Sequence, residues 1–271
     1  MAPTTKRSTP ADPAARPDGY DPHAFPIFAV TVDVVLLTVI DRDLHLALIE
    51  RGGDPYRGML ALPGGFKRPD ETLEEAATRE LAEEAGADGV TLAQFGAYGD
   101  PGRDPRMDVV TVGFTACIAT PVPLHAETDA AAAGWYPVAD VIDGRVKLAF
   151  DHARIVADAH ASLADDLERT DAVLALVGRE FTVSRLRHAY EAVWRLELPR
   201  GRAREEFALD KRNFRRQLDA DPGPFLAETG RSTSDLEETS SRPGRPAAFH
   251  RATRAWREAS PVRRPKVLRG K

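Results

Sequence analysis

The sequence predicts an α+β fold in two parts: a sheet with one amphipathic helix, then a mostly helical C-terminal part. Residues 27–50 hold two β-branched, partly alternating runs separated by Asp-Arg-Asp, a pattern typical of a hairpin with a buried face. Further strand-like runs follow at 109–119 and 134–141, divided by Gly, Pro and Asp. From about residue 149 the apolar spacing becomes helical. Strands around one strong helix indicate an α+β sandwich in the first part.

The chain is long enough for two domains. Its 271 residues are 42% hydrophobic, which supports a sizeable core. The N-terminal stretch lacks the apolar segment of a signal peptide, and no run of about 18 apolar residues predicts a membrane span. A single cysteine, Cys117, cannot form a disulfide within the chain, so we expect a cytoplasmic protein. The expected divisions are a disordered tail at 1–22, the sheet domain at 23–158, a second domain at 159–255 and a basic tail at 256–271.

Charge is unevenly divided between the two parts. Residues 151–271 carry 24 Lys and Arg against 19 Asp and Glu, and the remainder carries 13 against 23. The front half is therefore acidic and the back half basic, an asymmetry that makes nucleic acid a candidate partner for the second domain. For the arginine-rich C-terminal tail alone, a purely solubilising role is an equal alternative.

The segment from Gly64 to Gly86 predicts a capped amphipathic helix. Thr72, followed three residues later by Glu75, has the form of a capping box, and Asp70 is the other candidate N-cap. Gly86 supplies a C-terminal stop. The expected buried stripe recurs every four residues and consists of Leu73, Ala77, Leu81 and Ala85.

Three carboxylates lie on a common face of this helix. Glu80, Glu83 and Glu84 stand at i, i+3 and i+4, which places them within a few ångströms of one another. Oxygen clusters of this kind suit hard divalent cations, and Mg²⁺ is normally held by few carboxylates plus water and substrate phosphate. The preceding turn at 62–65 offers backbone carbonyls, and Arg79 is placed to orient or screen a glutamate. The sequence thus predicts a cation site, with a merely solvated acidic face as the alternative.

The same segment resembles the Nudix box, G-x5-E-x7-R-E-U-x-E-E-x-G-U, where U is a bulky aliphatic residue. Only Ala87, at the final position, is smaller than the pattern prefers. The matching positions are Gly65, Glu71, Arg79, Glu80, Leu81, Glu83, Glu84 and Gly86. The resemblance implies a Nudix α/β/α sandwich that hydrolyses a nucleoside diphosphate linked to another group.

The resemblance also implies roles for individual residues. It assigns Mg²⁺ or Mn²⁺ to the carbonyl of Gly64 and to the three glutamates named above. The metals neutralise phosphate charge and activate a water molecule. A general base outside the box varies within the family, and Glu127 is the candidate here, with an ordinary surface glutamate as the alternative. The expected catalytic set is Glu71, Arg79, Glu80, Glu83 and Glu84.

Candidate substrate-binding residues precede the strand at 109–119. Arg103 and Arg106 bracket a rigid turn with Asp104 and can hold phosphate or a ribose-linked diphosphate bidentately. The flanking aspartates leave a self-satisfied surface loop as the second interpretation. The RDPR arrangement, the valine-rich strand and LAFDH at 148–152 resemble the ADP-ribose branch of Nudix proteins, in particular the NrtR-type Nudix-related transcriptional regulators of NAD metabolism.

The C-terminal part contains two further helical patterns. Residues 181–194 form an amphipathic segment that Thr182 or Ser184 can cap. Residues 209–219 place four cations around the apolar Leu209, Phe214 and Leu218. A helix with one apolar and one basic face suits a recognition helix, in which arginines meet phosphates while Asn213 and one arginine read base edges. The candidate DNA-binding residues of this helix are Lys211, Arg212, Asn213, Arg215 and Arg216.

Two short runs, 225–230 and 244–251, are expected to form the strands of a wing. Arg242, Arg245 and Arg251 would then contact the DNA backbone. Helices followed by a hairpin are the order of a winged helix-turn-helix domain, and YEAVW, LDKRNFRRQL and GRPAAFHR resemble NrtR-type segments. The long interruption at 195–208 leaves the geometry of the helix pair open.

The resemblance favours a DNA-binding regulator whose Nudix domain binds ADP-ribose or a related NAD-derived nucleotide and retains Mg²⁺-dependent pyrophosphohydrolase activity. The alternative is an ADP-ribose pyrophosphatase with no role in transcription. A pure adaptor has no feature to support it, and no membrane partner is expected. A homodimer is expected because winged-helix repressors commonly bind two half-sites of DNA.

Overall fold

The structure is a computed structural model that describes residues 21–124, 130–220, 225–233, 247–258 and 260–268. The predicted tail at 1–22 therefore lies almost wholly outside the described residues. The same holds for the candidate base Glu127 and for the candidate DNA contacts Arg242 and Arg245.

A mixed seven-stranded sheet forms the N-terminal part. β1 pairs in parallel with β6 and antiparallel with β2 and β4, and the main strand order is β3-β2-β1-β6-β5, with β7 added on β2. The strands are β1 Ala29–Ile40, β2 Asp43–Arg51, β3 Leu60–Ala61, β4 Gly64–Phe66, β5 Leu92–Tyr98, β6 Val109–Cys117 and β7 Ala130–Pro137. The predicted hairpin and the predicted strand at 109–119 are thus confirmed.

One predicted strand is only half right. The run at 134–141 ends its strand at Pro137, and α2, Val138–Ile142, follows at once. Val138 and Val141 are buried against the core from this short helix. Their spacing of three residues suits a helix face, which the strand interpretation overlooked.

Helices cover both faces of the sheet. Along β1, Val32, Val34 and Leu36 pack with α1, Leu73–Ala85, whereas Val35 and Leu37 pack on the opposite face. The second layer is formed mainly by α3, His152–Arg169, and α5, Val183–Trp194. A strand buried on both faces is apolar throughout, and this explains the nearly unbroken apolar run of β1. The predicted α+β, α/β/α sandwich is confirmed.

The C-terminal part shares its core with the sheet. The predicted boundary between residues 158 and 159 falls inside α3, whose Ile155 and Leu163 belong to one buried cluster with Tyr190, Phe214 and Trp256. The remaining helices of this part are α4 Val173–Val177, α6 Arg202–Glu205, α7 Lys211–Leu218 and α8 Arg254–Glu258. The division into two domains stays a prediction, and the packing joins them closely.

A two-stranded hairpin follows α7. β8, Leu226–Ser232, runs antiparallel to β9, Ala248–Ala252. His250 and Phe181 exchange backbone hydrogen bonds of 2.9 and 3.0 Å, so β9 is attached directly to the start of α5. The predicted order of helices followed by a hairpin is therefore present.

The C-terminal stretch is packed where the structure describes it. Trp256 and Val262 are fully buried, and Ser260 donates a hydrogen bond of 3.0 Å to the carbonyl of Leu167. Arg264 reaches Asp165 at 2.7 Å and Glu197 at 3.0 Å. Trp256, Ser260 and Val262 therefore contribute to the core, and Arg264 forms ion pairs. Among the described residues, no helix combines the length and apolar character needed to cross a membrane.

Candidate functional site

A cleft of about 680 Å³ opens between the N-terminal half of β1, β4, α1 and the loops before β6 and α3. Its walls carry both acidic and basic side chains as well as Phe66 and Phe150. The cleft is lined by several of the predicted site residues. They are Glu80, Glu83, Glu84, Arg79, Arg103 and Arg106. A polar cleft of this size with convergent charged groups is the natural candidate for a ligand site.

Local hydrogen bonds fix the start and end of α1. The hydroxyl of Thr72 accepts from the amide of Glu75 at 3.1 Å, and the carboxylate of Glu75 accepts from the amide of Thr72 at 2.7 Å. Gly86 ends the helix in the left-handed region, at φ 64°. The predicted capping box and glycine stop are confirmed, and they set the register in which the glutamates face the cleft.

Arg79 is the hub of the acidic cluster. It donates two hydrogen bonds to Glu71, of 3.0 and 2.8 Å, one to Glu80 of 2.6 Å and one to Glu83 of 3.3 Å. The bond from Arg79 holds the pKa of Glu71 down at about 2. The guanidinium therefore offsets the mutual repulsion of three carboxylates, those of Glu71, Glu80 and Glu83.

Glu84 is held separately. Its carboxylate accepts from the amide of Gly64 at 2.8 Å, and burial raises the pKa of this carboxyl to about 8. Gly65 lies beside Glu80: a Cβ at that position would be 2.4 Å from a carboxylate oxygen of Glu80. Gly65 therefore lets β4 approach the acidic face of α1 closely, whereas Gly64 permits the close approach of β4 to Val32 of β1.

The donor set fits a hard divalent cation. Glu80, Glu83, Glu84 and the backbone at Gly64 supply only oxygen ligands, as Mg²⁺ and Mn²⁺ prefer. In the described part of the chain, no three acidic, histidine or cysteine side chains already converge as a metal cluster. The carboxylates of Glu80 and Glu83 instead accept hydrogen bonds from Arg79, and that of Glu84 accepts one from the amide of Gly64.

Sequence reasoning missed Asp33 and His152 in this cleft. The amide of Leu62 donates to Nδ1 of His152 at 2.9 Å, so Nδ1 is unprotonated and the proton of the neutral ring is on Nε2, 3.5 Å from Asp33. Burial lowers the pKa of His152. An aspartate inside the otherwise apolar run of β1 was the signal that could have identified this position.

The RDPR residues line the cleft and are paired with aspartates, and their predicted role in binding substrate stays a prediction. Arg103 binds Asp151 through hydrogen bonds of 3.1 and 2.6 Å and lies 3.7 Å from Asp33, with its side chain 5% exposed. Arg106 donates to Asp104 at 3.0 and 2.7 Å. The arginines are thus paired with aspartates, yet all three residues line the cleft.

Guanidinium groups lie over aromatic rings among the residues that line the cleft. The guanidinium of Arg106 lies 5.3 Å from the ring centre of Phe66 and 5.9 Å from that of Phe150. Arg51 lies 4.8 Å from the centre of Phe150 on this side of the cleft. Such contacts keep the cations near apolar surface, where their interaction with an anion is less screened.

A second candidate surface is the exposed side of α7. Phe214 and Leu218 are buried, and the four cations of the helix are exposed. Asp210 caps the helix by accepting from the amide of Asn213 at 2.7 Å, and the side chain of Asn213 accepts from Arg216 at 2.7 Å. The predicted apolar and basic faces are present in the structure.

The described wing arginines are paired. Arg231 donates to Glu180 at 2.8 Å, and Arg251 donates to the other oxygen of Glu180 at 3.0 Å. Both arginines are still more than half exposed. Glu180, three residues before α5, therefore holds Arg251, the predicted contact with the DNA backbone, near the start of that helix.

Comparison with known proteins identifies the family. A model of the NUDIX domain matches residues 29–159. The chain is 38% identical over 130 residues to the ADP-ribose pyrophosphatase of Methanocaldococcus jannaschii, an alignment that covers 48% of this chain and 72% of the enzyme. The chain belongs to the Nudix family. The match includes α1, so the Nudix box lies within the domain that the family shares.

Two further Nudix relatives extend the likeness beyond this domain. The chain is 30% identical over 176 residues to the ADPR responsive transcriptional repressor NtrR of Acinetobacter baylyi, covering 64% of this chain and 70% of the repressor. The crystal structure of Shewanella oneidensis NrtR complexed with a 27mer DNA superposes with a TM-score of 0.65 at 28% identity, over 83% of this chain and 93% of that one. The similarity therefore includes the C-terminal part.

Proposed function

We propose that this protein is an NrtR-like DNA-binding transcriptional regulator whose Nudix domain binds ADP-ribose or a related NAD-derived nucleotide. One observation carries the proposal: the chain that forms the Nudix cleft also presents an exposed basic helix, α7, beside a β-hairpin. The likeness to an ADP-ribose-responsive repressor and to a DNA-bound NrtR supports it over both parts.

The proposed DNA surface is the winged helix-turn-helix formed by α5, α7 and the β8–β9 hairpin. Lys211, Arg212, Arg215 and Arg216 supply the charge that attracts phosphates, and Asn213 is the proposed reader of a base edge. Arg242, Arg245 and Arg251 belong to the proposed wing contacts. A regulator of this kind acts on chromosomal DNA, so the expected cytoplasmic location is part of the proposal.

The proposed nucleotide site is the cleft. Arg103 and Arg106 bring positive charge to one wall, and Asp104 fixes Arg106 in place. Guanidinium groups held in this way recognise phosphate oxygens in pairs. The acidic face of α1 lines the same cleft, so a diphosphate bound there would need a cation as its partner.

We also propose that the site retains Mg²⁺-dependent or Mn²⁺-dependent pyrophosphohydrolase activity. Glu80, Glu83, Glu84 and the backbone of Gly64 would hold the cation, which when bound neutralises phosphate charge and lowers the pKa of a bound water. Glu71 fixes Arg79 through two hydrogen bonds, and Arg79 in turn orients Glu80 and Glu83. The proposed catalytic residues are therefore pre-positioned by the protein itself.

A second candidate function is that of an ADP-ribose pyrophosphatase with no role in transcription. The intact box favours it, as does the 38% identity to the archaeal pyrophosphatase. The two candidates differ in what the nucleotide does to DNA binding. A ligand changes DNA affinity only if it prefers one of two arrangements of the protein, here of the proposed homodimer.

The test combines both activities in one set of tubes. Purified protein is mixed with genomic DNA fragments, with and without ADP-ribose, and complexes are resolved by gel shift while AMP release is measured with Mg²⁺. We expect specific complexes that ADP-ribose dissociates, together with slow AMP formation. Rapid AMP formation without any specific complex would establish the second candidate instead.

A further inference from the structure

At the tip of the β1–β2 hairpin, Arg42 pairs with a residue of α5 and Asp43 pairs with the residue that follows α5. Asp41 and Arg42 form this two-residue turn, with φ of 49° and 73°. The guanidinium of Arg42 lies 4.0 Å from the carboxylate of Glu191, and Asp43 forms an ion pair with Arg195 at an N···O distance of 2.9 Å. Two ion pairs therefore join the tip of this hairpin to α5 and to Arg195, the C-cap of α5.

Glu191 connects this tip to the start of α7. Its side chain is 5% exposed, pairs with Arg187 one turn earlier, and accepts a hydrogen bond of 2.8 Å from the amide of Leu209. Leu209 immediately precedes Asp210, the N-cap of α7. A buried carboxylate is costly to leave unpaired, so the position of this amide follows that of the carboxylate. One side chain therefore touches both the ligand-binding hairpin and the segment that enters the basic helix.

β1 links the turn to the cleft. The strand runs from Asp33, which lines the cleft and pairs with Gly64 of β4, to Ile40 at the turn. Seven steps along an extended strand span about 23 Å. Residues 34–38 are buried and Val39 is half-buried, so few loose side chains along the strand can absorb a displacement at Asp33.

The backbone conformation at Arg42 adds a second observation. A residue other than glycine in the left-handed region is uncommon, and glycine is strongly preferred at the second position of such hairpin turns. Here that position carries an arginine whose side chain reaches toward Glu191, with 64% of the side chain exposed. The turn therefore lacks the glycine that its backbone conformation favours, at the position where the arginine side chain pairs with α5.

We infer that the contact of Arg42 with Glu191 transmits nucleotide binding in the cleft to the position of α7, and that Arg42 is required for this coupling but for neither binding event. The inference rests on the proposed function. Arg42 lies outside the cleft and outside the basic face of α7, so its removal leaves both contact surfaces intact. Glu191 is the positioning residue through which the turn acts on the segment that begins α7.

The test uses the full-length chain with Arg42→Ala and Arg42→Gly. Glycine suits the turn, so the second variant removes the side chain without destabilising the hairpin. Arg169→Ala is the matched control, because Arg169 is 66% exposed and its partners in the described part of the chain are Asp165 and Asp166 of its own helix. Fluorescence anisotropy measures DNA affinity with and without ADP-ribose, and calorimetry measures ADP-ribose affinity.

We expect both Arg42 variants to bind DNA alone and ADP-ribose alone within about twofold of the parent. The nucleotide's effect on DNA affinity, about 5- to 150-fold for a typical coupled pair, should fall below roughly twofold in both variants and persist in the control. Arg42→Lys, which keeps the charge, should recover part of the effect.

The outcomes separate the inference from the proposed function. A responsive parent whose Arg42→Ala and Arg42→Gly variants respond equally well overturns the inference and leaves the regulator intact. A parent whose DNA binding ignores ADP-ribose overturns the proposed function, and the inference with it.

Discussion

Arg79 binds Glu71 through two hydrogen bonds of 3.0 and 2.8 Å while its remaining donors reach Glu80, Glu83 and the carbonyl of Phe66. Glu71 lies before α1 and Arg79 lies two turns into it, so the pair ties the entering loop to the helix. Arg79 is thereby fixed where it neutralises two carboxylates. Glu71 thus acts through Arg79 and does not itself need to touch a ligand.

Glu71→Gln should reduce hydrolysis without abolishing it. The amide cannot accept from both guanidinium donors, so Arg79 gains freedom and Glu80 loses a fixed partner. Residues that orient a metal ligand typically contribute about 10- to 100-fold in activity, and we expect a loss of kcat in this range. AMP release from ADP-ribose measures it. Glu74→Gln is the control, because Glu74 is exposed on the same helix, and a loss of equal size in the control would contradict the assignment.

Glu83→Gln and Glu84→Gln should each abolish Mg²⁺-dependent AMP release from ADP-ribose. Glutamine keeps the shape of the side chain but removes the charge that a divalent cation requires. Turnover and Mn²⁺ binding, the latter followed by electron paramagnetic resonance, are to be measured on both variants. Parent-like turnover in both would remove these residues from the chemistry, whereas lost turnover with lost Mn²⁺ binding would support the metal role.

Arg215→Ala and Arg216→Ala should weaken DNA binding and reduce its dependence on salt. Each phosphate contact releases counterions, so the slope of log affinity against log salt should flatten by about one unit for each lost contact. Binding is measured by anisotropy across a salt series. Arg202→Ala provides the comparison, since Arg202 is 86% exposed on α6 and pairs with Glu206. Slopes identical to the parent in both α7 variants would exclude them as phosphate contacts.

Acidification should destabilise the fold through His160. This histidine is buried in α3, its Nε2 lies 2.9 Å from the carbonyl of Val193, and burial lowers the pKa of the ring. The unfolded chain therefore binds a proton more readily than the folded one. Above about pH 6.5 this histidine does not lower the free energy of unfolding, and below that value the free energy of unfolding falls as the pH decreases.

The contribution of His160 to the slope of the free energy of unfolding against pH reaches about 1.4 kcal/mol per pH unit. Urea unfolding between pH 5 and 8 measures it, and His160→Gln, which retains a donor for Val193, should flatten the acid limb. An unchanged acid limb in that variant would assign the loss to other groups. His152, His188 and His250 also have lowered pKa values, so the parent curve includes their contributions.

The sequence alone determined the features that depend on neighbouring residues. Thr72 and Glu75 cap α1 three residues apart, Gly86 ends it, and Glu80, Glu83 and Glu84 share a face because a helix repeats every 3.6 residues. The sequence likewise predicted the amphipathic pattern of α7 and the β1–β2 hairpin. These features need only bonds within one or two turns or across one tight turn, and local spacing encodes such bonds completely.

Only the tertiary structure decided which distant residues meet. The contact of Asp33 with His152, the pairing of Arg103 with Asp151, and the path from Arg42 through Glu191 to the amide of Leu209 join segments that are tens to more than a hundred residues apart. The sequence also did not predict that α3 continues across the expected domain boundary between residues 158 and 159. Sheet register and helix packing fix these contacts, and both depend on how the whole core fills space, which no local pattern specifies.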